Sequence, residues 1–336
     1  MNDSKNRQVL LSSLPNGVLT ASDFTVRHAD IPSIGDGEIL TRTILISLDA
    51  ANRAWMQGPT YRQAVKAGDV MHAYVMGEVV DAKTDAFSVG EIVLGEGGWA
   101  EYVVMDGRAV TKASKHRPLS NQLSVAGIAG KTAYHGLLKI GEPKEGETLV
   151  VSAAAGSVGT FAGQIGKIRG ANVVGIAGGA DKCAWLVDEL GFDGAVDYKA
   201  GGLFRDLKAA CPNGIDIYFD NVGGAITEAA LFQMNLFGRV VCCGAVSQYD
   251  TADQASPRGI PGLVVVKRLK MQGFVVLDHA DEDQQAEDDL LRWASEGRIK
   301  VVEDVVEGLE NAPGALIGLL AGENRGKRMV RVAPDP

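Results

Sequence analysis

The stretch of this chain with the clearest chemical capacity is Ser152 to Gly159, SAAAGSVG, which follows the apolar run TLVV and leads into a segment of helical period. Gly156 suits the dihedrals of a tight turn, and Gly159 lets one backbone approach another closely. Ser157, Val158 and Gly159 would then open a helix whose first amides face an anion such as a pyrophosphate. Ala154 stands at the first position of the usual G-x-G-x-x-G, so the fingerprint departs from its common form. Two readings compete: a nucleotide cradle, and a small-residue turn that only lets a helix pack tightly on a sheet. The place of the stretch between a strand and a helix, inside a repeating β/α pattern, favours the cradle.

The second strand of such a unit selects the dinucleotide. A carboxylate at its end binds a ribose 2′-hydroxyl and repels a 2′-phosphate. Here that strand reads VVGIAGG and passes Gly178 without an acid. Asp181, three residues on, is placed to cap a helix. Lys182 beside it is either a phosphate partner or an ordinary surface charge. The pattern predicts NADPH/NADP as cofactor.

These groups need a scaffold to position them. From about Val18 to Met105, short alternating segments broken by Gly, Pro and Asp predict a twisted antiparallel β module. After about Gly127 the texture changes. ETLVVSAA, ANVVGIAGG, AVDY, IDIYFDNVGG, GRVVCCGAV and LKMQGFVVLD read as strands, with SVGTFAGQIGKIRG, DKCAWLVDELG, GLFRDLKAACPNG and AITEAALFQM as helices between them. That alternation predicts an α/β, doubly wound parallel sheet with helices on both faces. The acidic run in DHADEDQQAEDDLLRWASEGRIK complements the start of an amphipathic helix. A helical NAPGALIGLLAG and a strand-like GKRMVRVA close the chain.

At 336 residues the chain is long enough for two domains, since single cores stop growing at roughly 250 to 300 residues. Its net charge of -9 argues against a broad nucleic-acid footprint. No apolar run reaches the roughly 18 to 20 residues that cross a bilayer, and the start lacks the long apolar stretch of a secretory signal, so no membrane partner and a cytoplasmic location are expected. Cys183, Cys211, Cys242 and Cys243 are scattered or adjacent, which suits neither a disulfide framework nor a zinc knuckle, and reduced buried thiols are expected.

Taken with SLDAANRAWM, GEVV, GIAGKTAYHGLLKIGEPKEGETLVVSAAAGSVG, VVGIAGGADKCAWLVDELGFDGAVDYK, DNVGG, GRVVCCGAVSQY, QGFVV and NRGKRMV, these residues resemble the zinc-independent branch of the medium-chain dehydrogenase/reductase superfamily. Within it they are similar to the prostaglandin reductase, or leukotriene B4 12-hydroxydehydrogenase, group of NADPH-dependent alkenal/enone reductases, which includes curcumin reductase. The resemblance implies a GroES-like catalytic domain over residues 1–125, a Rossmann domain inserted over 126–300, and a return to the catalytic domain over 301–336. It implies that Gly156, Ser157, Val158 and Gly159 wrap the pyrophosphate, that Lys182 and Tyr198 hold the adenosine phosphate, and that Asn221 lies along the cofactor. Cys243, Gly244, Ala245, Val246 and Ser247, with Phe274, Val275, Val276 and Asn324, would line the nicotinamide half, in the cleft between domains. A homodimer is implied as well. The stretch GPTYRQAVKAGDVMHAY departs from the Pro-containing loop of many relatives, which leaves substrate preference open.

Zinc-dependent members of that superfamily need cysteine ligands in the N-terminal domain, and this chain has no Cys before Cys183, so no metal is expected. Reduction of a double bond conjugated to a carbonyl needs only hydride at the β-carbon and a hydrogen-bond donor for the enolate oxygen. Tyr249 in GAVSQY is the candidate donor, chosen mainly on the resemblance, with capping of the core as its other reading. Tyr61 and Tyr74 on the presumed substrate side either donate or pack. Asn52 and Arg53 resemble a family stretch near the nicotinamide, and turn formation explains them equally well. His72, His116, His135 and His279 lack partners at metal-ligand spacing and read as surface or packing residues. A quinone oxidoreductase of the same architecture and a non-catalytic NADPH sensor are the competing functions.

Overall fold

The computed structural model describes residues 5–114, 116–251 and 259–336. The chain divides into two compact units, one of residues 1–123, 303–323 and 328–336, the other of residues 124–302 and 324–327.

The first unit begins with strands β1 (Lys5–Leu11) and β2 (Phe24–Asp30), an antiparallel pair. It continues through β3 (Glu38–Ser47), a short helix α1 (Ala51–Ala54), β4 (His72–Ala82), β5 (Ile92–Gly98), β6 (Tyr102–Asp106) and β7 (Thr111–Lys112). The antiparallel module is therefore present, and it starts earlier than Val18. Strand β1 has a buried register, with Val9 and Leu11 fully enclosed, but its polar residues Asn6, Arg7 and Gln8 hide that period in the sequence.

The second unit alternates strictly. Helix α2 (Ile128–His135) leads to β8 (Thr148–Ser152), α3 (Ser157–Ile168), β9 (Asn172–Ala177), α4 (Ala180–Asp188), β10 (Gly194–Asp197), α5 (Leu203–Ala210) and β11 (Ile215–Asp220). Then come α6 (Gly224–Gln233), β12 (Met234–Cys242), α7 (Ile260–Lys267), β13 (Lys270–Gly273) and α8 (Asp283–Ser295). All strand pairs are parallel, in the order β10-β9-β8-β11-β12-β13. Successive side chains go to opposite faces. Leu149, Val151, Phe219 and Val241 join a core with α2, α3 and α8, while Val150, Tyr218 and Val240 join one with α5 and α6. Burial on both faces is why these strands read as continuous apolar runs.

Two strands differ from the sequence reading. LKMQGFVVLD keeps only Lys270–Gly273 as strand, and the chain turns into a 3-10 helix over Val276–Glu282. Strand β12 starts early, at Met234, and bulges between its pairings with Ile215 and Ile217, with Phe237 in the left-handed region at φ 64°.

The chain returns to the first unit through β14 (Glu303–Glu307), α9 (Ala312–Leu320) and β15 (Lys327–Arg331). Strand β15 pairs with β3, completing a seven-stranded sheet of order β14-β15-β3-β4-β5-β7 with β6 on β3. A GroES-like β-rich part and a Rossmann part make up the fold.

Candidate active site

The glycine stretch forms the turn from β8 to α3. Gly156 is the N-cap of α3 and no side chain caps that end, so the first amides of the helix have no intrahelical acceptor. A Cβ on Gly159 would stand 2.3 Å from the Ala153 carbonyl oxygen and 2.8 Å from the Ala154 Cα. Glycine is required there by close approach. Gly156 itself has φ -85°, which any residue adopts. The left-handed residue of the turn is Ala153, at φ 46°, so the turn's special backbone sits three residues earlier than its glycine suggests. Bare helix amides above a turn with no room for a side chain are the donor set a pyrophosphate fits.

The strand order reverses between β8 and β11, and ligands of open α/β sheets bind outside the strand ends at such a point. Asn221 bridges the two strand ends: its Nδ2 donates to the Ser152 carbonyl at 2.7 Å, and its backbone N–H donates to Ser152 Oγ at 2.9 Å. Asp220, almost fully buried, organises the turn that follows. Its carboxylate accepts from Tyr218 OH at 3.0 Å, the N–H groups of Val222 and Gly223 at 3.0 and 2.9 Å, and Thr227 Oγ1 at 2.5 Å. Asp220 and Ser152 carry no signal of this role in the sequence beyond their place at strand ends.

From the same turn hangs the ribbon that bears Tyr249. The Asp220 carbonyl accepts from Cys243 and Gly244, that of Asn221 from Val246, and that of Val222 from Ser247. The ribbon then folds on itself, and the Tyr249 hydroxyl accepts from the Ala245 N–H at 3.2 Å. An oxygen that accepts a hydrogen bond is a better donor through its own O–H. Burial and the Asp220 charge push the Cys243 thiol up to about 12, so it is inert as a nucleophile. Phe274, half-buried after β13, packs against the core beneath α2, with Val275 and Val276 beside it in chain.

A third group forms at the end of β9. Lys182 Nζ donates to the Asn324 carbonyl at 2.6 Å, and Asn324 Nδ2 closes on the Gly326 carbonyl at 2.8 Å. Gly326 in turn donates to Ala155, so the 324–326 loop stands between the glycine turn and Lys182. A Cβ on Gly178 would meet Lys199 Cε at 2.9 Å and Tyr198 Cε1 at 3.0 Å. Tyr198 is thus brought to Gly178, and Lys199, absent from the sequence reading, comes with it.

In the first unit, Asn52 is fully buried with both ends of its amide engaged: Oδ1 accepts from Asp49 N at 2.8 Å and Nδ2 donates to the His72 carbonyl at 2.9 Å. That is the turn-forming role. Tyr61 is exposed, and next to it Arg62 lies 4.4 Å over the Trp55 ring and pairs with Glu96 at 3.2 Å. Burial, assisted by the Arg62 charge, lowers the pKa of His72. Among the described residues no three His, Cys, Asp or Glu side chains come together as a metal site, and all four cysteines are free thiols. Only Cys211 is fully buried; Cys183, Cys242 and Cys243 are half-buried.

Comparison with known proteins places this geometry. Residues 7–113 match the family described as N-terminal domain of oxidoreductase, and residues 157–296 the family described as zinc-binding dehydrogenase. The chain is 41% identical to the NADPH-dependent curcumin reductase of Escherichia coli, over 98% of both chains. It is 43% identical to prostaglandin reductase 1 of Bos taurus, over 94% of this chain and 95% of that one. A crystal structure of CurA from Vibrio vulnificus in complex with NADPH superposes with a TM-score of 0.94 at 41% identity, covering 98% of this chain and all of that one. The chain belongs to the zinc-independent medium-chain dehydrogenase/reductase superfamily, in its prostaglandin reductase and curcumin reductase group.

Proposed function

We infer that this chain is an NADPH-dependent reductase of carbon–carbon double bonds conjugated to a carbonyl, acting on small enones and alkenals. The observation that carries the reading is 41% identity, over 98% of both chains, with a reductase of curcumin, itself an enone, together with a phenol held on the ribbon at the strand-order switch. The cofactor, when bound, supplies the hydride for the β-carbon. Everything else falls to the residues of the chain. The α3 amides and Gly159 receive the pyrophosphate, while Lys182 and Tyr198 face the adenosine phosphate. Asn221 lies along the cofactor and residues 243–247 line its nicotinamide half. Tyr249 donates its hydroxyl to the carbonyl oxygen as negative charge develops there, which is the transition-state contact that lowers the barrier.

The test is NADPH consumption with trans-2-alkenals, cyclic enones, a quinone and no acceptor in parallel. Turnover of alkenals and enones is expected. Consumption with the quinone alone would replace this reading by the quinone oxidoreductase, and none with any acceptor by the sensor.

The active form is a homodimer joined at the β13 edge. Helix α7, Ile-Pro-Gly-Leu-Val-Val-Val-Lys, buries no residue, Val265 and Val266 are 73% and 67% exposed, and β13, which follows it in the chain, is the end strand of its sheet. An apolar helix flanking an unpaired edge is stabilised when a second copy covers both. Free thiols suit the reducing cytoplasm as its location; no helix among the described residues is long and apolar enough to cross a membrane.

A further inference from the structure

In dinucleotide-binding sheets the residue at the end of the second strand decides between a ribose hydroxyl and a ribose phosphate. Gly178 holds that place here, directly after β9. The space its side chain would take is filled from the neighbouring strand: Cε and Cδ of Lys199 lie 2.9 and 3.2 Å from the missing Cβ. The register explains how. Asp197 pairs with Ala177, so the chain leaving β10 passes beside the chain leaving β9. Asp197 Oδ1 then fixes that exit by accepting from Gly179 N at 2.8 Å and Lys199 N at 2.9 Å. The Lys199 ammonium lies 5.9 Å from the Tyr198 ring centre and forms no salt bridge among the described residues.

Charge balance favours a further cation here. Asp181 and Asp197 both stand at this turn, and the amides of Gly179 and Lys199 hold Asp197 below its usual carboxylate range, so it is ionised. Against these two carboxylates stand Lys182, bonded to the Asn324 carbonyl, and Arg325, 5.6 Å over the Trp185 ring of the same helix, so a dianionic phosphate meets net positive charge only with a further cation. We propose that Lys199 is a second, specificity-determining cation for the 2′-phosphate of NADPH, reaching over Gly178 to the place where NAD-dependent folds carry a carboxylate. The proposal rests on the placement of the adenosine phosphate between Gly178 and Lys182.

Calorimetric titration of wild type, Lys199→Gln, Lys199→Arg and Lys182→Gln tests it. The ligands are NADPH, NADH, adenosine 2′,5′-bisphosphate and adenosine 5′-monophosphate. Loss of one charged hydrogen bond should weaken NADPH and the bisphosphate roughly tenfold in Lys199→Gln, with NADH and the monophosphate unchanged and Lys199→Arg close to wild type. Lys199 is exposed, and an unchanged melting temperature will show that the fold is intact. Equal shifts for NADPH and NADH, or none, would overturn the role of Lys199. If Lys182→Gln loses discrimination and Lys199→Gln keeps it, only Lys199 is removed from the site. If wild type binds the two adenosine phosphates equally, the whole corner has been misplaced.

Discussion

The Ala153 carbonyl oxygen and Gly159 are so close that a methyl on the glycine would stand 2.3 Å from that oxygen. The obstacle is backbone, which cannot swing aside as the end of a side chain can. Gly159→Ala is expected to lift α3 from the end of β8, at a cost of about 1–3 kcal/mol, and to weaken NADPH binding by displacing the amides that face the pyrophosphate. Ala153→Gly is the matched control, since glycine occupies φ 46° without strain. It should hold or raise the melting temperature. Thermal melts and cofactor titration of both variants decide the matter, and a Gly159→Ala protein with wild-type values would show that the turn yields.

Helix α7 gives a prediction about assembly. Val265 is the most exposed large apolar side chain of the described residues, at 73%, and Val266 beside it is 67% exposed. A carboxylate there costs little in a monomer but would be buried unpaired at an interface between two copies. Val265→Glu should therefore sediment as a monomer of 35.4 kDa at concentrations where wild type is a dimer. A wild-type protein that is already monomeric would overturn the dimer, and a variant that still dimerises would move the interface elsewhere.

The Rossmann half was legible because strands buried on both faces show as unbroken apolar runs, and TLVV, IDIYFD and RVVCC need no pairing information to be recognised. Contacts that depend on register were not. Lys199 reaches Gly178 only because Asp197 pairs with Ala177, and nothing in the spacing of residues 178 and 199 announces that. Arg62 over Trp55 lies in a loop without periodicity. Residue type even misdirects at the glycine turn, where an alanine carries the left-handed backbone and Gly156 an ordinary one. Asn52 shows the opposite limit: its type allowed a substrate contact or a turn, and only the two bonds of its amide decide between them.

Acid should destabilise the second unit through His135. Its ring is fully buried, stacked on His279 at 4.9 Å, with Nε2 3.4 Å from Asp283 Oδ1. Burial lowers its pKa from 6.5, helped by His279 and Lys139 and opposed by Asp283. The unfolded chain thus takes up a proton at a pH where the folded one does not, so stability is intact above about pH 6.5 and falls as pH drops below it. His135→Phe keeps an aromatic face against His279 and cannot titrate. Its melting temperature should fall less than that of wild type between about pH 7 and pH 5.5. Parallel losses in the two proteins would clear His135 of the effect.

Tyr249→Phe separates catalysis from binding. The ring remains, so the packing of the ribbon is kept, and the Ala245 N–H loses an acceptor at a half-buried position. On the proposed placement most of the NADPH contacts lie at the β8 turn and the Gly178 corner, and of the residues 243–247 the Tyr249 hydroxyl bonds only the Ala245 N–H, so affinity should change little. The barrier is different, because the hydroxyl matters most when charge has moved onto the carbonyl oxygen. Removal of one such donor lowers kcat by roughly 10²- to 10³-fold, with enone and alkenal substrates alike. A quinone, whose reduction asks for no donor at this position, should be turned over equally by both proteins. The panel therefore carries its own control: a loss shared by the quinone, or a fall in kcat matched by a rise in the NADPH dissociation constant, would assign Tyr249 to the framework of the ribbon and leave the carbonyl oxygen to another donor.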